Sequence, residues 1–183
     1  MIITISGSPG SGKSTVADMV ANKLDLKRYS NGDFMREMAE ARGVAWKEFH
    51  NIAEADPRVD EELDERQRTL GQEEDDFVID SRLGWHFIPQ SIKIFLHVDP
   101  EEGAKRIMKD NRAEESFDSI GKAMEKIKER ADSEKKRYKE MYGIDFLKKD
   151  NYDLWLDTTS MTVEEVVDKI ISFVKQEKEK ADA

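Results

Sequence analysis

The sequence contains no cysteine, and this absence excludes disulfide bonds, thiol nucleophiles and thiolate metal sites. It also has no apolar run near the roughly 18 residues that a membrane-spanning helix needs. The chain starts with the apolar run MIITI, without the charged and then apolar regions of a secretory signal peptide. We therefore expect a cytoplasmic protein that is not attached to a membrane.

The sequence also lacks a surplus of basic residues. Its 183 residues include 40 acidic and 30 basic side chains, which gives a formal net charge of -10. This charge argues against general binding of long nucleic acids, although it permits local basic pockets. No repeat and no linker rich in proline, glycine or serine divides the chain, so we expect one domain over residues 1–183. We also expect this domain to act as a monomer.

The segment GSPGSGKS, which ends at Ser14, matches the pattern G-x-x-x-x-G-K-[ST] and lies between a strand pattern and a helix pattern. Its glycines keep Cβ atoms away from a polyphosphate, so that backbone N–H groups can surround the phosphates. Lys13 would reach the β and γ phosphates, and the Ser14 hydroxyl would join Mg²⁺. The alternative, a glycine-rich turn without a ligand, does not need lysine and serine in this order. We therefore predict a phosphate-binding loop.

Strands and helices alternate along the rest of the chain. This order predicts an α/β fold in which helices cover a parallel sheet and ligands bind at the carboxyl ends of the strands. We expect about five strands, near residues 1–6, 26–29, 77–81, 92–98 and 151–157. The expected helices follow the phosphate loop, cover residues 33–42 and 46–72 with a break at 56–57, and begin again near residues 99, 116 and 162. The tail over 175–183 is expected to be solvated or frayed.

Two short motifs follow predicted strands where a second substrate would approach. In SNGDFMRE, Asp33 and Arg36 lie three residues apart at the start of a helix. In IDSRLGWHFIP, Asp80 ends a strand and Arg82 follows it. The two arginines offer planar groups for a phosphate or carboxylate, and Asp80 could contact the water shell of Mg²⁺ or shape the acceptor pocket. The alternatives are helix or turn caps and surface ion pairs.

A third motif lies on the charged helix that begins near residue 116. Lys126, Arg130 and Arg137 fall at i, i+4 and i+11 on one face, which could neutralise charge during phosphoryl transfer. The alternative is a solvated helix with pairs such as Asp132 and Lys136. An isolated helix would favour the solvated interpretation, and a neighbouring phosphate loop favours the catalytic one.

These segments together resemble the nucleoside monophosphate kinases, and among them the cytidylate kinases of the short archaeal type. The resemblance covers nearly the whole chain. It rests on the segments GSPGSGKST, SNGDFMRE, VIDSRLGWHFIP with IKIFLHVDPEEGAKRI, DSEKKRYKEMYGID and YDLWLDTTSMTVEEVV. Ser81 departs from the family, because many relatives have glycine before the arginine of this turn. The spacing of Arg130 and Asp132 differs from the longer bacterial form.

The resemblance implies a three-layer P-loop kinase fold with a nucleoside monophosphate (NMP)-binding insertion at about 31–72 and a mobile lid at about 110–132. It implies that ATP and Mg²⁺ are bound by Gly7, Ser8, Pro9, Gly10, Ser11, Gly12, Lys13, Ser14, Thr15 and Arg106, with Ser14 as the metal ligand. It implies substrate binding by Asp33, Arg36, Asp80, Arg82, Asp132 and Ser133. Catalysis would rest on Lys13, Arg82, Arg130 and Arg137.

The activity that the resemblance implies is transfer of the γ-phosphoryl group of ATP to CMP or dCMP, in pyrimidine nucleotide metabolism. The partners would be small nucleotides, and the Asp-Gly-Phe-Pro-Arg turn of adenylate kinases, which would favour AMP, is missing. Two alternatives stay open. The acceptor could be UMP, AMP or a non-nucleotide metabolite, or the chain could bind RNA through the basic residues of 135–139.

Overall fold

A parallel sheet forms the centre of the fold in this computed structural model, which describes residues 1–109 and 119–182. Within these residues the sheet has five strands, in the order β2-β3-β1-β4-β5. Their bounds are β1 Ile2–Gly7, β2 Lys27–Ser30, β3 Phe77–Asp80, β4 Ile92–His97 and β5 Leu154–Asp157. All neighbouring strands pair in parallel, so their carboxyl ends meet at one edge. The predicted α/β class is confirmed.

Eight α-helices are described around this sheet within the same residues. They are α1 Lys13–Leu24, α2 Asn31–Ala41, α3 Trp46–Ala55, α4 Pro57–Glu73, α5 Gly84–Phe87, α6 Pro100–Lys109, α7 Ile120–Tyr142 and α8 Val163–Asp182. Local signals explain where several of them begin. The Asp56 side chain caps α4 ahead of Pro57, and Thr162 and Glu165 form a reciprocal capping box for α8.

Helices pack on both faces of the central strands, which is why β1 and β4 are largely apolar. On one face, α1 and α8 bury a cluster with Ile3, Ile5 and Leu96. On the other face, Phe95 packs with Tyr138 of α7 and with aromatic side chains from α5 and the segment before β5. This second cluster holds α7 over the sheet, close to the strand ends that carry the polar motifs.

One predicted boundary is wrong. The last strand begins at Leu154 rather than near residue 151, because Lys149–Asn151 forms a 3₁₀ turn. The tail that was expected to be solvated or frayed is helical as far as Asp182, and its side chains over 175–180 are mostly exposed, so the solvated alternative is the one confirmed. Of the expected lid over 110–132, residues 110–118 lie outside the described residues, and Ser119 caps α7.

Among the residues described, no helix combines the length and the apolar character needed to span a bilayer.

The strand order β2-β3-β1 explains where the polar motifs meet. Ser30 ends β2, Asp80 ends β3 and Gly7 ends β1, so the three segments that follow these residues leave the sheet side by side. The candidate site is built at this edge.

Candidate active site

The phosphate loop joins β1 to α1 in a conformation that requires glycine. Gly10 and Gly12 adopt left-handed φ angles of 77° and 79°. A Cβ atom on Gly10 would also lie 2.3 Å from the carbonyl oxygen of Gly103 on α6. The loop therefore packs directly against α6, and a side chain at Gly10 would separate them. Lys13 is the first residue of α1, so the loop leads into the amino end of this helix.

Asp80 accepts hydrogen bonds from both polar side chains that open α1. The Lys13 ammonium bonds Oδ1, and the Ser14 hydroxyl donates to Oδ2 at 2.6 Å. Asp80 is only 5% exposed. Burial alone would raise the pKa of this carboxyl, but the Lys13 charge and the two hydrogen bonds outweigh burial and lower the pKa. Asp80 is therefore ionised and ties β3 to the phosphate loop.

The Lys13 ammonium lies close to two other cations as well as to Asp80. Burial lowers the pKa of Lys13, and although Asp80 raises it, the guanidinium groups of Arg82 and Arg130 add to the lowering. A second anion beside Lys13 would relieve this repulsion. The electrostatics of the loop therefore favour an incoming phosphate.

Arg82 joins the phosphate loop to the charged helix α7. Its Nη1 donates to the carbonyl oxygen of Gly7 at 3.1 Å, and its Nε lies 2.8 Å from Glu134 Oε2. The other oxygen of Glu134 accepts from Arg130 Nε at 3.2 Å. A buried carboxylate on α7 thus holds two cations from separate segments beside the loop.

The second half of α7 packs against α4 through polar groups. Arg137 Nη1 lies 3.5 Å from Asp60 Oδ2, and the Tyr142 hydroxyl donates to Asp64. Burial raises the pKa of Asp64 to about 6, although the hydrogen bond from Tyr142 lowers it. These contacts bring the third predicted cation, Arg137, to the α4 side of the site.

The SNGDFMRE motif forms the start of α2. Ser30 caps the helix by accepting from the Asp33 N–H at 3.0 Å, and Arg36 Nη1 donates to Asp33 Oδ1 at 3.0 Å. Arg36 also stacks over the Trp46 ring, with 5.1 Å to its centroid. Its side chain is 59% exposed. Arg36 therefore lies at the entrance of the site rather than in the buried group around Arg82.

Arg106 fixes the loop after β5 against α6. Its guanidinium donates to Glu102 on its own helix and to the backbone oxygens of Thr158 and Thr159, at 2.8 and 3.0 Å for the oxygens. This arrangement holds α6 and the loop at 158–159 next to each other, on the side where α6 contacts the phosphate loop.

The structure brings most predicted site residues to one edge of the sheet, with two exceptions. Asp132 and Ser133 are exposed on α7. At 100° per residue, Asp132 lies roughly opposite the face that carries Arg130 and Glu134. The position of each residue around the α7 axis thus places Glu134, and not Asp132 or Ser133, beside Arg82.

Sequence reasoning missed two residues of this group, Arg28 and Glu134. Glu134 could have been found from its i+4 position after Arg130, which is the spacing of helical ion pairs. Arg28 carried a weaker signal, as a cation in a four-residue strand two positions before the strand end. The structure also explains why a serine can replace the glycine that many relatives have at position 81. The Ser81 hydroxyl donates to the Gln67 side chain of α4 at 2.5 Å.

The hard oxygen donors beside the phosphate loop fit Mg²⁺. The Ser14 hydroxyl and the Asp80 carboxylate lie within 2.6 Å of each other. Mg²⁺ commonly takes one or two protein oxygens and completes its shell with water and substrate phosphates. In the described part of the chain no set of three or more histidine, aspartate or glutamate side chains is grouped to hold a metal alone.

Comparisons with known proteins agree with this geometry. The model of the cytidylate kinase-like family matches residues 2–160. The chain is 37% identical to a cytidylate kinase from Archaeoglobus fulgidus, with 100% of this chain and 99% of the relative covered. It is also 37% identical to an S-adenosylmethionine-dependent nucleotide dehydratase from Lacinutrix mariniflava, over 92% of this chain and 35% of that longer protein.

A solved structure supports the fold independently. Shikimate kinase from Bacteroides thetaiotaomicron matches with a TM-score of 0.66 and 14% identity, over 96% of this chain and 98% of that one. At this identity the likeness concerns the fold alone, and it identifies the α/β fold of P-loop kinases.

Proposed function

The chain belongs to the cytidylate kinase-like family, and we propose that it transfers the γ-phosphoryl group of ATP to the 5′-phosphate of CMP or dCMP. In this reaction an acceptor phosphate oxygen forms a bond to the γ-phosphorus while the bond to the β,γ-bridging oxygen breaks. The products are ADP and a nucleoside diphosphate. No covalent enzyme intermediate is required, because the acceptor phosphate is itself the nucleophile.

The observation that carries this proposal is the contact between Arg82 and the phosphate loop. Arg82 donates to the Gly7 carbonyl, so a guanidinium suited to an acceptor phosphate lies beside the loop suited to a donor. Two anions that repel each other could then be held close enough for transfer. Such alignment and charge neutralisation supply most of the catalysis in phosphoryl transfer.

On the donor side, we assign the terminal phosphates of ATP to the loop from Gly7 to Thr15. Lys13 would exchange its contact with Asp80 for the β and γ phosphates. Mg²⁺, held by Ser14 and near Asp80, would neutralise charge on those phosphates. Arg106 would border the donor site through its contacts with the loop after β5.

On the acceptor side, Arg82 and Arg36 would bind the monophosphate, with Asp33 orienting Arg36. Arg130 and Arg137 would stabilise charge on the transferred group from α7. We also propose that residues 31–72 act as the acceptor-binding insertion, that the lid includes the start of α7, and that one chain forms a complete site.

The test is an ADP-release assay with ATP, Mg²⁺ and a panel of acceptors that includes CMP, dCMP, UMP, AMP and shikimate. We expect the highest kcat/KM with CMP or dCMP. Equal rates across the panel, or a preference for another acceptor, would exclude the proposed specificity.

Two variants make the assay specific to the proposed acceptor site. Arg82→Met should reduce kcat/KM by roughly 10²-fold or more, because it removes a charge stabiliser at the reacting phosphates. Lys23→Met is the control, since Lys23 lies at the end of α1 away from the phosphate loop, is 46% exposed and pairs with Asp168 at 2.8 Å. Its activity should equal that of the wild type.

A further inference from the structure

The Arg28 guanidinium connects three carboxylates from three different elements. Its Nε lies 2.7 Å from Asp18 of α1, its Nη1 2.7 Å from Asp33 of α2 and its Nη2 3.8 Å from Asp80 of β3. The side chain is 22% exposed, so these pairs are partly shielded from water.

Two of these carboxylates belong to opposite halves of the site. Asp80 holds Lys13 and Ser14, the groups proposed for the donor phosphates and Mg²⁺. Asp33 holds Arg36, which is proposed for the acceptor. Within the described residues, Arg28 is therefore a cation shared by the donor group and the acceptor group.

The charge distribution makes this shared cation responsive to the donor. Asp80 now has Lys13 as its nearest cation, and Arg28 is the more distant one. If Lys13 turns to a bound phosphate and Mg²⁺ lies near Asp80, this carboxylate has a stronger cation partner and holds Arg28 less, so Arg28 would pair more closely with Asp33. Because Asp33 is shared by Arg28 and Arg36, the closer pair with Arg28 would free Arg36 for the acceptor phosphate.

We propose that Arg28 is a positioning residue that couples the two substrate sites, so that a bound donor tightens the binding of the acceptor. This inference rests on the proposed function for its two sites but does not depend on which base the acceptor carries. Arginine suits the task because its planar group donates in several directions at once and stays charged. A lysine ammonium could hold fewer of these carboxylates at once.

The experiment measures the dissociation constant of an acceptor with and without a non-hydrolysable ATP analogue and Mg²⁺, by titration calorimetry. The acceptor is whichever monophosphate the wild-type protein phosphorylates fastest in the panel. We expect the analogue to tighten acceptor binding about five-fold or more in the wild type. In Arg28→Met this tightening should disappear, while the analogue alone still binds, and Arg28→Lys should restore part of it.

Lys27→Met is the matched control. Lys27 is the neighbouring cation of the same strand, and it pairs with Glu74 at 2.6 Å on an exposed surface. This variant should keep the wild-type coupling. If Arg28→Met does not fold, Asp33→Asn breaks the acceptor end of the same link and should also abolish the coupling.

The two proposals fail in different ways. The role of Arg28 would be overturned if Arg28→Met kept the full coupling, or if Asp33→Asn kept it where Arg28→Met does not fold. It would also be overturned if the donor had no effect on acceptor binding in the wild-type protein. A fastest acceptor other than CMP or dCMP would overturn the proposed specificity and leave the coupling experiment valid. A non-additive double variant, Arg28→Met with Asp33→Asn, would be the expected sign that the two residues act through one contact.

Discussion

Replacing Asp64 by asparagine should change how the stability of the protein depends on pH. Asp64 is buried, and its pKa rises from 3.8 in the unfolded chain to about 6 in the folded one. Between these values the folded protein binds more protons, so the free energy of unfolding falls as the pH rises. A shift of about two units at about 1.4 kcal/mol each gives a loss of ~3 kcal/mol, complete above the folded pKa.

Asparagine keeps an oxygen for the Tyr142 hydroxyl but cannot ionise. The stability of Asp64→Asn relative to the wild type should therefore increase by ~2.4 kcal/mol between about pH 4 and pH 7, which is most of this loss. Urea unfolding followed by tryptophan fluorescence at several pH values measures this difference. Glu61→Gln, at an exposed carboxylate of the same helix, is the control. A difference between Asp64→Asn and the wild type that stays constant across this range would refute the reasoning.

Three further substitutions test the site directly. Lys13→Ala should lower kcat by roughly 10²- to 10³-fold with no loss of folded structure, and near-normal turnover would exclude its role. Gly10→Ala should weaken ATP binding and lower the melting temperature, because the new methyl group would clash with Gly103 and would also be placed at a positive φ. Gly143→Ala is the control, since Gly143 has a positive φ but open space around it, and it should lower the free energy of unfolding by only about 1–2 kcal/mol. Glu134→Gln should lower kcat while tightening acceptor binding, since its charge both orients Arg82 and competes with the phosphate; unchanged kcat and KM would contradict this.

Local signals in the sequence were sufficient to predict the phosphate loop and most helix starts. The loop depends on glycines and on Lys13 within nine residues, and the caps at Asp56 and Thr162 act on neighbouring N–H groups. Such features need no knowledge of distant segments. The strand order and the contacts between distant side chains were not predictable in this way.

The contacts that shape the site join residues far apart in the chain. Arg82 meets Glu134 because the aromatic cluster around Phe95 fixes α7 over the strand ends. The phase of α7 then decides which of its polar residues face inward, and motif matching alone favoured Asp132 and Ser133. Arg28 was missed for a similar reason, since its importance depends on β2 lying next to β3.

The net charge of -10 does not indicate that the chain could bind phosphates, and the ion pairs of the site explain why. In this structure the predicted phosphate-binding cations already have carboxylate partners. These pairs are Lys13 with Asp80, Arg36 with Asp33, Arg82 and Arg130 with Glu134, and Arg137 with Asp60. A bound phosphate would therefore take the place of a carboxylate beside each cation. Because the carboxylates partner the cations in the absence of phosphate, the protein does not have to hold several unpaired positive charges close together. An acidic protein can bind two polyanions in this way, because the exchange depends on local pairs rather than on the total charge.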